Sequence, residues 1–226
     1  MRDLGDTTAY LRRGIREILC LALFFFTFLA GEYLFDVRVA EFVPANEVVI
    51  YESIVVGASV IGYFVCPLLY YRRPQTIDAT SDMTGVLLVS ALLLLIMAAQ
   101  FQVVIAGGLV ACCALGYCGS TAHANLARRF AQTPCLARAV AVSYAAGILV
   151  QVLNHMVMPA GIPQQFVLIA CAIALLGCFT VPAELNCVTS PRPSSKPRLP
   201  SYRSMRRSMA PSGAIIPRQR RPSRVP

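Results

Sequence analysis

Within the apolar stretch Leu136–Val157 stand Tyr144, Gly147, Gln151, Asn154 and His155, at steps of three and four residues that place them on one face of a helix. An amide or imidazole turned toward lipid leaves donors and acceptors unsatisfied, each at a large free-energy cost. The stripe is therefore predicted to face into a helical bundle, where it either recognises a small molecule or bonds to neighbouring helices as structural glue. Glu32 and Glu52 fall at a similar depth in two other apolar stretches. Together Glu32, Glu52, Tyr144, Gln151, Asn154 and His155 form the candidate ligand-binding set. Glu52 beside His155 would be a pH-responsive pair, because histidine titrates near neutrality.

Other chemistries find little support. No nucleophile and base stand at a recognisable spacing and there is no phosphate loop, so catalytic residues are not expected. Asp78 and Asp82 read better as loop and cap residues. The chain has nine cysteines but no CxxC pair, and His123 and His155 are expected at opposite faces of the membrane. Seven of the thiols lie inside or beside apolar stretches, where cysteine behaves as a small hydrophobe. Cys135 and Cys187 are expected on the cytoplasmic side, where disulfides are rare. Neither metal nor cofactor is expected. His123 reads as an interfacial or capping residue rather than a ligand.

These residues need long helices to carry them. Of 226 residues, 57% are hydrophobic and 14% charged, a balance too apolar for one water-soluble core. Six windows approach the length that crosses a bilayer, at 15–35, 48–71, 83–99, 101–118, 136–157 and 163–181. The fold class is thus all-α, a polytopic membrane protein with a six-helix domain over 15–182. Residues 1–14 form a cytoplasmic N-terminal segment, in which Asp6-Thr7-Thr8 caps a short amphipathic helix whose Arg12, Arg13 and Arg16 reach anionic headgroups. Nineteen of the 20 basic residues fall on one side of this topology and only Arg38 on the other. Both termini are therefore placed in the cytoplasm and the chain in the plasma membrane.

Within the domain, Gly57, Ser59 and Gly62 in the second span, and Gly107, Gly108, Gly116 and Gly119 in the fourth, mark surfaces for close helix contact. Pro67 is expected to bend the second span. Spans three and six carry no polar stripe and read as lipid-facing. Asn46, Asp82 and Thr133 are the expected N-caps of spans two, three and five. Residues 183–226 are rich in Pro, Ser and Arg, and from Val188 onward hold ten basic residues and no acidic one. Such a segment cannot bury enough apolar surface to fold and is expected to be a disordered basic tail that can meet anionic lipid or RNA. Arginine outnumbers lysine 19 to 1, the bias of a GC-rich gene, so a frameshifted end explains the tail equally well.

Six spans with both ends inside, and basic residues after span two and around the loop between spans four and five, resemble one half of a major facilitator transporter. That likeness implies that the first, second, fourth and fifth helices flank a cavity. The loop after span two lacks the family's acidic residue before Arg72-Arg73, span four lacks its arginine, and span five lacks its Gly-Pro ending. Gly119-Ser120-Thr121-Ala122-His123-Ala124, Thr133-Pro134, Arg138-Ala139-Val140, Tyr144-Ala145-Ala146-Gly147-Ile148-Leu149 and Gln151…Asn154 are more closely similar to the facilitator-like N-terminal membrane region of LuxR-type transcription regulators of gut actinobacteria. The resemblance covers about forty residues. It implies a membrane-embedded sensor domain or fragment that binds a small molecule; the tail has no apolar periodicity from which a DNA-binding helix-turn-helix domain could be built. The alternative is a half-size transporter working as a homodimer.

Overall fold

A backbone in hydrocarbon must satisfy its own hydrogen bonds, so each apolar window folds as a helix and continues until another partner is at hand. The computed structural model describes residues 14–72, 77–131 and 133–180. Its elements are α1 (Ile15–Val39), α2 (Ala45–Arg72), α3 (Ile77–Met97), α4 (Phe101–Phe130), α5 (Leu136–Val157) and α6 (Ile162–Thr180). All six are long and apolar enough to cross a membrane, and no strand occurs among the described residues. The expected cap at Asp6-Thr7-Thr8, together with Arg12, Arg13, Arg73, Cys187 and the tail over 183–226, lies outside them.

Helices α1 and α4 form the centre, each more than half buried along its apolar window. Phe26, Phe35, Leu92 and Leu115 close the core between them and α3. Helix α2 packs along α4, and α5 along α1; α3 and α6 lie against each other while meeting α4 and α1 respectively. Exchanging the first three helices for the last three leaves these neighbours unchanged, as in inverted three-helix repeats. Each flanking contact is closed by glycine. A Cβ at Gly62 would run into the Cys113 carbonyl, one at Gly116 into that of Ser59, and one at Gly147 would lie 2.8 Å from the Ala22 carbonyl oxygen.

The ends of the bundle are laced by arginines. Arg16 donates to the Cys178 carbonyl, tying the start of α1 to the end of α6. Arg38 donates to the Ala98 carbonyl and pairs with Glu41 at 2.7 Å. Arg128 lies 4.6 Å over the Tyr70 ring, joining α4 to α2.

Several boundaries differ from expectation. Asn46 lies inside α2, because Pro44 already supplies the first turn by accepting the Glu47 N–H at 2.9 Å. Asp82 does not cap α3, which begins at Ile77 and is helical through Thr80, whose carbonyl accepts Thr84 Oγ1 at 2.7 Å. Thr133 caps nothing ahead of it; its hydroxyl returns to the Phe130 carbonyl at 3.0 Å, and α5 opens after Cys135 without a side-chain cap. Helix α4 runs on past the hydropathy window to Phe130, since its polar turn remains packed on α2, with Thr121 Oγ1 3.4 Å from Cys66 Sγ. Helix α3 is also more buried than α2 or α5 along its apolar window. Lack of a polar stripe therefore did not make it the most lipid-exposed helix.

Candidate functional site

The end of the bundle away from Ile15 and Thr180, here the far end, holds a cleft of about 90 Å³ between α1, α5 and α6. The last two turns of α5 supply Gln151, Asn154 and His155, and α1 supplies Tyr33, Leu34 and Val37. The turn into α6 closes the third side. It pivots at Gly161, whose φ of 99° lies in the left-handed region that glycine enters without steric cost. Gln164 Nε2 then donates to the Met158 carbonyl at 3.2 Å, holding the start of α6 against the end of α5.

The polar groups of the cleft are only partly paired. The Gln151 amide nitrogen lies 2.9 Å from His155 Nε2. An amide nitrogen can only donate, so in this arrangement the imidazole carries its proton on Nδ1. Tyr33 meets His155 edge-on, with ring centroids 4.6 Å apart. Asn154 is 7% exposed, and both its Oδ1 and Gln151 Oε1 are buried without a hydrogen-bond partner. Two side chains that line the cleft thus each hold a buried acceptor without a partner, groups that a donor on a guest could satisfy.

The other candidates fall elsewhere. Glu32 and Asp36 on α1 face Glu52 on α2 closely enough for mutual repulsion. Tyr33, between them in sequence, meets His155 on α5 instead. The expected Glu52–His155 pair is therefore not formed: Glu52 belongs with the two α1 carboxylates, and His155 with Gln151 and Tyr33. Asp36 Oδ1 is also buried without a hydrogen-bond partner.

Tyr144 joins neither group. Its hydroxyl bonds His123 Nε2 at 2.7 Å, while His123 Nδ1 donates to the Gly119 carbonyl at 2.7 Å. Phe25 lies against the Tyr144 ring at 4.6 Å, and Phe24 and Tyr63 meet His123 edge-on at 6.1 and 6.0 Å. Four helices, α1, α2, α4 and α5, converge here. His123 thus bridges α4 and α5 through Tyr144 and does not cap a helix end. Its placement seven residues before the end of a helix that outran its hydropathy window hid this, and Tyr33 was hidden by lying between more conspicuous carboxylates.

Among the described residues no group of three or more His, Cys, Asp or Glu side chains is placed to hold a metal ion. No family model, curated protein or solved structure matches the chain.

Proposed function

We propose that this chain is the membrane-embedded, facilitator-like sensor bundle, or a fragment of one, of a membrane-bound LuxR-type regulator, and that it binds a small molecule in the far-end cleft. The observation that carries the reading is the pair of buried, unpartnered acceptors, Gln151 Oε1 and Asn154 Oδ1, on side chains that line a cleft between three helices. Structural glue accounts well for Tyr144, which has His123 as its partner. It accounts less well for an amide oxygen left bare at a cost of about 1–3 kcal/mol. The inverted neighbour pattern of the six helices supports the facilitator-like part of the reading, as an analogy of fold. Arginines gathered at the end that holds Ile15 and Thr180 favour cytoplasmic termini and a plasma-membrane location.

The test is thermal unfolding of the detergent-solubilised protein against a panel of small polar metabolites. At least one compound is expected to raise the midpoint, and Gln151→Leu is expected to remove that response while leaving membrane insertion intact. A response undiminished in Gln151→Leu and Asn154→Leu alike would show that the cleft is not the site.

A second reading, a transporter half completed by a second copy, draws on α2 and α5. Ile61 and Phe64 on α2 and Ile148 and Leu149 on α5 are exposed, and Tyr63, which abuts the His123–Tyr144 pair, is itself 41% exposed. Crosslinked dimers in native membranes, with solute flux in liposomes, would favour this reading over the sensor.

A further inference from the structure

Resting on the reading of the far-end cleft as a ligand site, we propose that the group it recognises is a primary ammonium. The two unpartnered atoms on side chains lining the cleft, Gln151 Oε1 and Asn154 Oδ1, are both buried acceptors, so a guest that engages them must bring N–H or O–H donors. Among the described residues no lysine or arginine lines the cleft, and the single arginine at this end, Arg38, is engaged by Glu41 and the Ala98 carbonyl. Carboxylates and phosphates would therefore enter without a counter-charge.

Charge selects among donors. The described part of the far end carries Glu32, Asp36, Glu41, Glu47 and Glu52 against Arg38 alone, a surplus that raises the local concentration of cations and repels anions. Tyr33, which lines the cleft and is 44% exposed, adds an aromatic surface of the kind that attracts ammonium groups. Leu34, Val37 and Leu168 supply an apolar flank for the carbon next to nitrogen.

Size narrows the guest further. At about 90 Å³ the cleft is small beside the pockets that enclose drug-sized ligands, so it takes one end of a guest rather than the whole of a large one. A terminal –CH2–NH3+ group fits, with the remainder of the molecule outside. Two sources offer it: a free small amine such as ethanolamine, and the ethanolamine headgroup of a phospholipid whose tails lie along α5 and α6.

The experiment is thermal unfolding of the full chain followed by circular dichroism. Delipidated protein in a maltoside detergent is titrated with ethanolamine, choline or glycerol, and a parallel set is reconstituted in nanodiscs of phosphatidylethanolamine or phosphatidylcholine. Ethanolamine is expected to raise the midpoint. Choline, which is cationic but has no N–H, and glycerol, which has donors but no charge, are expected to leave it unmoved. Asn154→Leu should weaken the apparent ethanolamine affinity by about tenfold or more; Gln151→Leu carries the test if the first variant does not fold. Stabilisation by ethanolamine identifies a free amine as sufficient, whereas stabilisation only in phosphatidylethanolamine nanodiscs, lost in the variants, identifies the lipid headgroup. Choline or phosphatidylcholine matching its ethanolamine counterpart overturns the need for N–H on the cation, and with it the primary-ammonium assignment. Glycerol matching ethanolamine overturns the need for charge while leaving a small-molecule site in place. No stabilisation by any compound or lipid overturns the ammonium assignment, and a response to other metabolites would show the broader reading surviving without it.

Discussion

Tyr144 and Gln151 stand two turns apart on α5, and their surroundings diverge. The Tyr144 hydroxyl finds His123 and a wall of aromatic rings, while Gln151 shares one hydrogen bond with His155 and leaves its oxygen bare. Substitution should separate the two cases. Tyr144→Phe strands His123 Nε2 inside the bundle and is expected to cost about 1–3 kcal/mol of unfolding free energy. Added to His123→Leu, it should cost much less, since the partner is already gone; a double-mutant cycle in detergent reads the coupling. Additive losses would mean that the bond contributes nothing. The α5 stripe was legible in the sequence because its spacing is a local property of one helix. What each member would touch was not. His123 is 21 residues from Tyr144 and Tyr33 is more than a hundred from His155, and such pairings depend on how helices far apart in the chain come to lie together.

At the scale of elements, helix existence followed from hydropathy, and helix ends did not. Asn46, Asp82 and Thr133 are good capping residues by type, yet Pro44, the earlier start at Ile77 and the return of Thr133 to Phe130 each displaced the boundary. Of the small residues in spans two and four, Gly62 and Gly116 do mark where backbones meet, as only a missing Cβ permits, whereas Gly57, also expected at a close contact, has no neighbour there. Gly62→Leu is expected to push α2 off the Cys113 carbonyl and destabilise the bundle by about 3 kcal/mol or more, in the range of severe overpacking. Gly57, twelve residues after the start of the same helix and with nothing near its absent Cβ, provides the control. Gly57→Ala should change stability by less than about 0.5 kcal/mol. Equal effects at the two sites, measured by unfolding in mixed micelles, would remove the case for a backbone contact between α2 and α4.

For the whole molecule the distribution of charge is as telling as the packing. Arg16, Arg72, Arg128, Arg129 and Arg138 share one end, and Glu32, Asp36, Glu47 and Glu52 of α1 and α2 gather at the other, with Glu17 alone of the α1 and α2 carboxylates beside the arginines. This division was plain in the sequence, since the positive-inside bias is counted along the chain and needs no contacts. With the native cysteines replaced, a thiol at Ala160 in the far-end turn is expected to react with an impermeant maleimide on intact cells. One at Ala131, after α4, is expected to react only once the cells are opened. The reverse pattern would invert the proposed orientation. Less legible was the inverted arrangement of the two three-helix sets, because it is carried by neighbours and not by a visible repeat.

That arrangement is not quite even. At Gly62 and Gly116 the α2 and α4 backbones leave no room at all for a Cβ, whereas at Gly147 the corresponding contact of α5 with α1 is looser. Drawn out of a bilayer by an atomic-force tip attached beyond α6, the chain should therefore surrender α6 and α5 early as a weak hairpin. The first four helices should then resist together and come free in one later, higher-force event.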